Sequence, residues 1–359
     1  MHRPLLFAAL LTMMGCSSPS GETGASDQDL VKQPQDPAAV QITVEPSDKG
    51  QVLVDAINAA TKSVHVTMYI LTAPTVLNAL IARHAAGVDV QVILNKNGAF
   101  AADVTADGEA ESAAADADEV DPDATDITPD TSNTTTFAAL QKAGIPVVWS
   151  SSAYRYTHEK CIIIDGQTAW IMTMNSAVTS LTKNREYLAA DTLTADVKEA
   201  EQIFEADFAA KPITPAGNLL VSPVSMRDGL VTLLGKATKT VDFEVEELGD
   251  ASITTAFCAA AKAGATVRGV LADITESATE KKAVTALKAC GIDMRTLKKP
   301  YIHAKAIVVD GTEMYVGSAN FSSVSLSQNR ELGLVSSTAS TIAPVATTLA
   351  ADIAASTAL

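Results

Sequence analysis

Two stretches of this 359-residue chain repeat one another, and that repetition constrains the fold more than any other feature. Ala60-Thr61-Lys62-Ser63-Val64 returns as Ala237-Thr238-Lys239-Thr240-Val241. Each copy follows a helical pattern, roughly 51–61 and 226–238, and leads into a β-rich run, 64–70 and 241–245. A second helix then ends in Ala86-Gly87-Val88 or Ala263-Gly264-Ala265, the glycine marking a helix C-terminus. Apolar strands follow at 88–94 and 266–271. A third helix closes at Ala143-Gly144-Ile145 in one copy and Ala289-Cys290-Gly291-Ile292 in the other. Strands alternating with helices predict an α/β layer structure with a mixed sheet in each copy. Two such units in one chain predict a pseudo-twofold pair, the within-chain counterpart of an isologous dimer.

The repeat ends in its most specific segment. The first copy reads Tyr156-Thr157-His158-Glu159-Lys160, an apolar strand, then Asp165-Gly166. The second reads Tyr301-Ile302-His303-Ala304-Lys305, an apolar strand, then Asp310-Gly311. Asp-Gly between apolar strands predicts a hairpin. After each returning strand, Asn175 matches Asn320, and Asn184-Arg185-Glu186 matches Asn329-Arg330-Glu331.

These residue types suit attack on a phosphodiester. His and Lys two positions apart project from one face of an extended chain. Two units facing one another would gather two imidazoles, two ammoniums and two amides around one point. Lys160, Lys305, Asn175 and Asn320 can stabilise negative charge growing on phosphoryl oxygens. One neutral imidazole can attack phosphorus while the other, protonated, donates to the leaving oxygen. Imidazole suits both tasks because it titrates near neutrality. Glu186 and Glu331, each at the same offset after the histidine of its own repeat, are candidates to orient a ring through Nδ1. Asp165 and Asp310 read as structural, holding the hairpin. A single His-x-Lys carries no signal, but the whole constellation recurs in register. The remaining histidines, His2, His65 and His84, have no such counterpart, and His65, His84 and Tyr69 are expected to be packing or surface residues.

The pattern His-x-Lys-x-x-x-x-Asp-x-x-x-x-x-x-Gly-Ser-x-Asn resembles that of the phospholipase D superfamily. The second copy matches it throughout, with His303, Lys305, Asp310, Gly317, Ser318 and Asn320. The first has His158, Lys160, Asp165 and Asn175, but Met172-Thr173 replaces Gly-Ser; Thr173 keeps the hydroxyl and Met172 crowds a normally small position. The resemblance spans about residues 45 to 340. It implies two homologous α/β units with mixed sheets, pseudo-twofold related, sharing one active site at their interface. It also implies a covalent phosphohistidine, no cofactor and no catalytic metal. By analogy His158 is the nucleophile and His303 the general acid and base.

The ends and the composition bear on where such an enzyme would work. His2 and Arg3 precede an apolar stretch from Leu5 to Met14, then Gly15-Cys16. Residues 1–15 are expected to be a signal peptide of bacterial lipoprotein type, with Cys16 lipidated and 16–40 a flexible tether rich in Ser, Gly, Asp, Gln and Pro. An ordinary cleaved signal with a chance Cys is the alternative. Domain boundaries are expected at 41–210 for the first unit and 211–359 for the second. An acidic insertion at 100–136 carries no helical or strand period. Its aspartates (Asp116, Asp118, Asp121, Asp123, Asp126) invite a calcium reading, but it lacks the Gly and terminal Glu of an EF-hand loop, so a solvated acidic loop is expected. Beyond Cys16, Cys161 is expected to be a buried free thiol, while Cys258 and Cys290 either pair or lie buried separately.

The net charge of −16 opposes a general nucleic-acid binder, because an acidic surface repels phosphate backbones. An exported, lipid-anchored chain in the bacterial cell envelope would sit beside phospholipid. The leading expectation is therefore hydrolysis or head-group transfer on a phospholipid membrane by a monomer, since an internal pseudo-dimer completes its own site. An exported metal-independent nuclease is the enzymatic alternative, weakened because only Tyr154, Tyr156, Tyr301 and Phe321 could stack bases near the motifs. A phosphate-binding surface lipoprotein without turnover is the other.

Overall fold

The computed structural model describes residues 39–96, 133–272 and 277–359. The signal segment, Cys16, the tether up to residue 38 and most of the acidic insertion lie outside the described residues. The described residues form one compact unit.

The first half runs β1 (Val40–Glu45), α1 (Gln51–Ala59), β2 (Ser63–Met68), α2 (Pro74–Ala85), β3 (Asp89–Leu94), α3 (Thr134–Lys142), β4 (Val147–Trp149), β5 (Lys160–Ile164), β6 (Thr168–Met172), α4 (Val178–Thr182), β7 (Asn184–Asp191) and α5 (Thr194–Phe208). The second runs β8 (Leu220–Ser222), α6 (Met226–Gly235), β9 (Thr240–Val245), α7 (Ala251–Lys262), β10 (Thr266–Leu271), α8 (Ala278–Ala289), β11 (Asp293–Thr296), β12 (Tyr301–Ile302), β13 (Lys305–Val309), β14 (Glu313–Gly317), α9 (Ser323–Ser327), β15 (Glu331–Ser336), α10 (Ala339–Ala355) and β16 (Thr357–Ala358). One sheet has the order β1-β7-β6-β5-β2-β3-β4 and the other β16-β11-β10-β9-β13-β14-β15-β8. Both are mixed: β2-β3-β4 and β9-β10-β11 are parallel, and the hairpin strands run antiparallel. This is the α/β architecture with mixed sheets that the repeat predicts.

The apolar runs after each His-x-Lys are continuous because both faces of the strands are covered. On β5, Ile162 and Ile164 enter a core under α1 and α2, while Cys161 and Ile163 face a shared inner core. On β13, Ile307 and Val309 face the outer core of the second half, and Ala306 and Val308 the shared one. Helices α5 and α10 complete that inner core with Val197, Ile203 and Phe204 from one half and Ile342, Val345 and Leu349 from the other.

The two most repeated segments hold each other. The Asp165 carboxylate accepts from the backbone N–H of Thr61, Lys62 and Ser63 and from the Thr61 hydroxyl. Asp310 does the same for Thr238, Lys239 and Thr240. Burial pushes the Asp165 carboxyl up, but these donors outweigh it and hold it near 2. Both aspartates have left-handed backbone (φ 56° and 54°), followed by Gly166 and Gly311 at φ 62° and 66°, which suits an Asp-Gly hairpin.

The acidic insertion ends earlier than its composition suggests. Expected to reach residue 136, it gives way to α3 at Thr134. Asn133 is fully buried: its Oδ1 accepts from Leu71 N–H at 2.9 Å, and its Nδ2 donates to the Tyr69 and Asn95 carbonyls at 2.7 and 3.0 Å. The β-branched run Thr134-Thr135-Thr136 hides this start, because it carries weak helix propensity. Packing of Leu140 and the buried Thr136 overrides it.

Cys161 is a buried free thiol. Cys258 and Cys290 are joined by a disulfide, linking α7 to the end of α8 with 5.4 Å between Cα atoms. Closing a loop of 32 residues stabilises by about 3–4 kcal/mol in the chain-entropy account. A Cys258→Ser/Cys290→Ser variant is expected to lose about that much in denaturant unfolding. An unchanged midpoint would show that the bridge contributes nothing.

Candidate active site

Both histidines sit just before the strands that carry their lysines, and both are buried at 4% and 0% exposure. Each lysine folds back on its own histidine: Lys160 Nζ donates to the His158 carbonyl at 2.9 Å, and Lys305 Nζ to the His303 carbonyl at 2.7 Å. This fixes both ammoniums beside the rings without using the ring nitrogens.

The orienting carboxylates cross between halves. His158 Nδ1 lies 2.9 and 3.0 Å from the oxygens of Glu331, and His303 Nδ1 lies 2.7 Å from Glu186 Oε1. Each glutamate thus serves the histidine of the other repeat rather than of its own. Both are fully buried. A carboxylate at Nδ1 places the proton there and leaves Nε2 for chemistry.

The hydroxyls of the motif complete this layer. Ser318 Oγ donates to Glu331 Oε2 at 2.6 Å, and Thr173 Oγ1 donates to Glu186. Thr173 therefore does in the first half what Ser318 does in the second. The change of Gly to Met beside it also has a packing reason. A Cβ at Gly317 would meet Gly333 Cα at 2.5 Å and the Tyr315 hydroxyl at 2.5 Å. In the first half the matching strand pair is Met172 and Leu188, with Trp170 in the place of Tyr315. Met172 is fully buried in the outer core with Leu188. The bulk of Met172 is taken up by the outer core.

Asn175 is fully buried and neither amide atom has a hydrogen-bond partner among the described residues. An unpaired buried amide is costly unless a ligand completes it. Asn320 Nδ2 lies 3.5 Å from Glu246 Oε2.

Electrostatics separate the two motifs. Burial pushes the His158 imidazole below its ordinary value. Lys160 and Lys305 push the same way, and Glu331 pulls against them without prevailing. His158 is thus held neutral near pH 7. Burial raises Glu331, but His158, Lys160 and Ser318 outweigh it and keep the carboxylate below its ordinary range. Lys305, from the second motif, thus lies near enough to His158 to act on its charge.

Beneath the site, Arg330 is fully buried and its guanidinium bonds both oxygens of Asp207 at 2.7 and 3.0 Å, with Tyr154 beside it. Arg185 grips Asp352 in the same way at 2.6 and 3.1 Å. Both pairs again join opposite halves. Two further cross-half contacts accompany them: Tyr301 and Ile302 pair with Asn184 and Arg185, and Thr157 bridges Arg330.

Sequence reasoning missed three neighbours. Tyr69 packs as expected, but against the site itself: its ring lies 5.0 Å from Lys160 Nζ and meets the His158 ring edge-on at 4.6 Å. Glu246 lies at the matching point of the second half, next to Lys305 at 2.7 Å. The signal was available, since both residues directly follow the repeated strands β2 and β9. Glu159, between His158 and Lys160, is buried at 2% exposure. His65, by contrast, stacks on Phe204 and pairs with Glu201, among the packing of α5. Among the described residues, no group of three or more His, Cys, Asp or Glu is arranged to hold a metal ion.

The arrangement of paired mixed sheets around two His-Lys motifs defines a phospholipase D-like fold. Phosphatidylserine synthase from Haemophilus influenzae Rd KW20 is similar, with a TM-score of 0.63, 10% identity, and coverage of 89% of this chain and 87% of that one. Polyphosphate kinase from Porphyromonas gingivalis matches with a TM-score of 0.61 and 15% identity over 87% of this chain, which spans 46% of that enzyme. At these identities the likeness is one of fold. A comparison with curated proteins gives no match. A family model described as cardiolipin synthase, PLD-like domain, matches residues 53–208 and 230–353, and the chain belongs to this family.

Burial raises the Glu159 carboxyl to about 8, with Asp207 adding to the rise and Arg330 opposing it. A carboxyl raised on folding favours the folded state most below its unfolded value of about 4.5, and that contribution is lost as pH climbs towards 8. Glu159→Gln, which imitates the protonated acid, should match the wild type in Tm near pH 4.5. It should exceed it increasingly up to pH 8. A constant difference across that range would show that Glu159 does not titrate between these limits.

Proposed function

We propose that the protein is a phosphodiesterase that hydrolyses phospholipids through a phosphohistidine intermediate. The observation that carries this reading is the exchanged pair of His–Glu contacts, which orients two imidazoles into a site furnished with two lysines and a buried, unpaired amide.

His158, neutral and oriented by Glu331, is the nucleophile. Its Nε2 forms a bond to phosphorus as the bond to the leaving oxygen breaks. His303, oriented by Glu186, gives its proton to that oxygen. Lys160, Lys305, Asn175 and Asn320 hold the charge gathering on the equatorial oxygens. Water then attacks the phosphohistidine, His303 takes the proton, and His158 is released with a phosphomonoester as product. An alcohol in place of water gives head-group transfer. All these groups come from one chain, which supports a monomer.

Phospholipid is favoured over nucleic acid by the acidic net charge of −16 and by where the nearby aromatic rings lie. Tyr154 packs on Arg330, Tyr156 on Tyr69, and Phe321 in the outer core, so these three are engaged within the protein. We also propose export to the bacterial cell envelope and anchoring through lipidated Cys16. The Cys258–Cys290 disulfide supports it, because such bonds persist in oxidising compartments. Among the described residues no helix is long and apolar enough to cross a membrane.

The deciding experiment assays purified protein side by side on phospholipid vesicles and plasmid DNA, with and without excess chelator. Lipid hydrolysis surviving chelation is expected; faster DNA cleavage, loss on chelation, or silence on both substrates would each sink the reading. His158→Ala should lower kcat/KM by about 10³-fold or more.

The pH profile of kcat/KM should be bell-shaped, with its acid limb below the ordinary imidazole value of 6.5 because His158 is depressed. Glu331→Gln removes the group that raises His158 and should move that limb lower still while reducing kcat. A limb that moves upward would contradict the assignment of His158 as the neutral base.

A further inference from the structure

One carboxylate in the site has no part in the phosphodiesterase chemistry. Glu246 directly follows β9 and is 3% exposed. Its Oε2 lies 2.7 Å from Lys305 Nζ, 3.4 Å from His303 Nε2 and 3.5 Å from Asn320 Nδ2. Its Oε1 accepts from the Tyr301 hydroxyl at 3.5 Å. The ammonium, imidazole and amide that meet at Oε2 are the three groups the second motif offers to a phosphoryl oxygen. Glu246 Oε2 therefore competes with a phosphoryl oxygen for these groups.

The first half is an internal comparison. There Tyr69 follows β2 as Glu246 follows β9, and it meets Lys160 and His158 with a neutral ring. The two halves match in His, Lys, Asn, the hydroxyl residue and the crossed glutamates, yet at this position, in contact with the motif lysine, one carries a carboxylate and the other a neutral phenol. The outer core does not require a carboxylate here, since Phe243 and Val245 on β9 already fill it.

We propose that Glu246 is a specificity-determining residue that acts as a charge sieve, admitting singly charged phosphodiesters and rejecting doubly charged phosphates. This rests on the phosphodiesterase reading above and deepens it. The repulsion between the Glu246 carboxylate and a bound phosphate grows in proportion to the phosphate charge, and it is felt at short range in a buried site. A diester carries one charge and can share Lys305 with Glu246. A monoester carries close to two at neutral pH, because its second ionisation lies near pH 6. Hydrolysis converts the first kind of ligand into the second. The carboxylate therefore acts against the product once water has cleaved the bond from His158 to phosphorus, which speeds its release and limits inhibition by inorganic phosphate. The same rule disfavours terminal phosphates as substrates. Glu280 lies close enough to feel the Glu246 charge, which adds to the burial that pushes the Glu280 carboxyl up to about 7.

The test titrates dimethyl phosphate and methyl phosphate into the whole protein at neutral pH and follows binding by phosphorus NMR. The wild type should bind dimethyl phosphate more tightly. Glu246→Gln, which keeps the shape and loses the charge, should reverse that order and tighten methyl phosphate by about tenfold or more. Should Glu246→Gln fail to fold, Glu246→Tyr places at this position the side chain found in the other half, and the wild-type order is decisive by itself. A wild type that prefers methyl phosphate, an unchanged ratio in the variant, or no binding of either ligand to a folded variant would each overturn the sieve. Binding is read without turnover. Absence of lipid hydrolysis therefore counts against the proposed reaction and leaves this measurement standing, while hydrolysis with an unchanged ratio counts against the sieve alone.

Discussion

Everything at the centre of this protein depends on an exchange of charged partners between its halves. Glu331 orients His158 and Glu186 orients His303. Asp207 holds Arg330 and Asp352 holds Arg185. All eight side chains are largely buried. A buried charge left alone is severely destabilising, and a buried pair is tolerable only when its geometry is fixed. The exchange supplies that geometry in both directions at once, because every group given by one half is matched by one received. The hydrophobic inner core brings the sheets together, and the crossed pairs set their register to the precision that a proton transfer needs.

The architecture was legible because its signals are local. Glycines after helical periods, apolar runs and Asp-Gly turns each report on their immediate neighbourhood, and repetition doubled every one of them. The repeated Ala-Thr-Lys segment also has a definite cause: Asp165 and Asp310 bind its backbone amides, so the two most similar parts of the repeat are in contact. The ends of elements were less legible. Asn133 turns its side chain inward to bond Leu71, Tyr69 and Asn95, and nothing in an acidic, aperiodic stretch announces that α3 is about to begin.

The site was legible in its residue types and not in its wiring. Glu186 and Glu331 have equal offsets from the histidines of their own repeats, so spacing favours the pairing that the fold does not adopt. Only the packing of one sheet on the other distinguishes own from opposite. Met172 illustrates the same limit in reverse. Compared with a motif it looks like a defect, but in the fold its bulk belongs to a set with Leu188 and Trp170 that replaces Gly317, Gly333 and Tyr315. Glu246 and Tyr69 stand at matching positions but share no residue type, so repetition does not mark them, and they inform by differing.

The crossing of the carboxylates has a consequence for how such a site can change over time. Neither half aligns its own histidine, since the carboxylate at each ring belongs to the other copy. A lone unit would have an unaligned imidazole until it met a second, so assembly and competence would arrive together. Once both copies are fused in one chain, they are free to diverge wherever they do not supply each other, as the surroundings of Met172 and Gly317 have done. Where they do supply each other they are bound to a common alphabet, and a change in one half must be answered by the other.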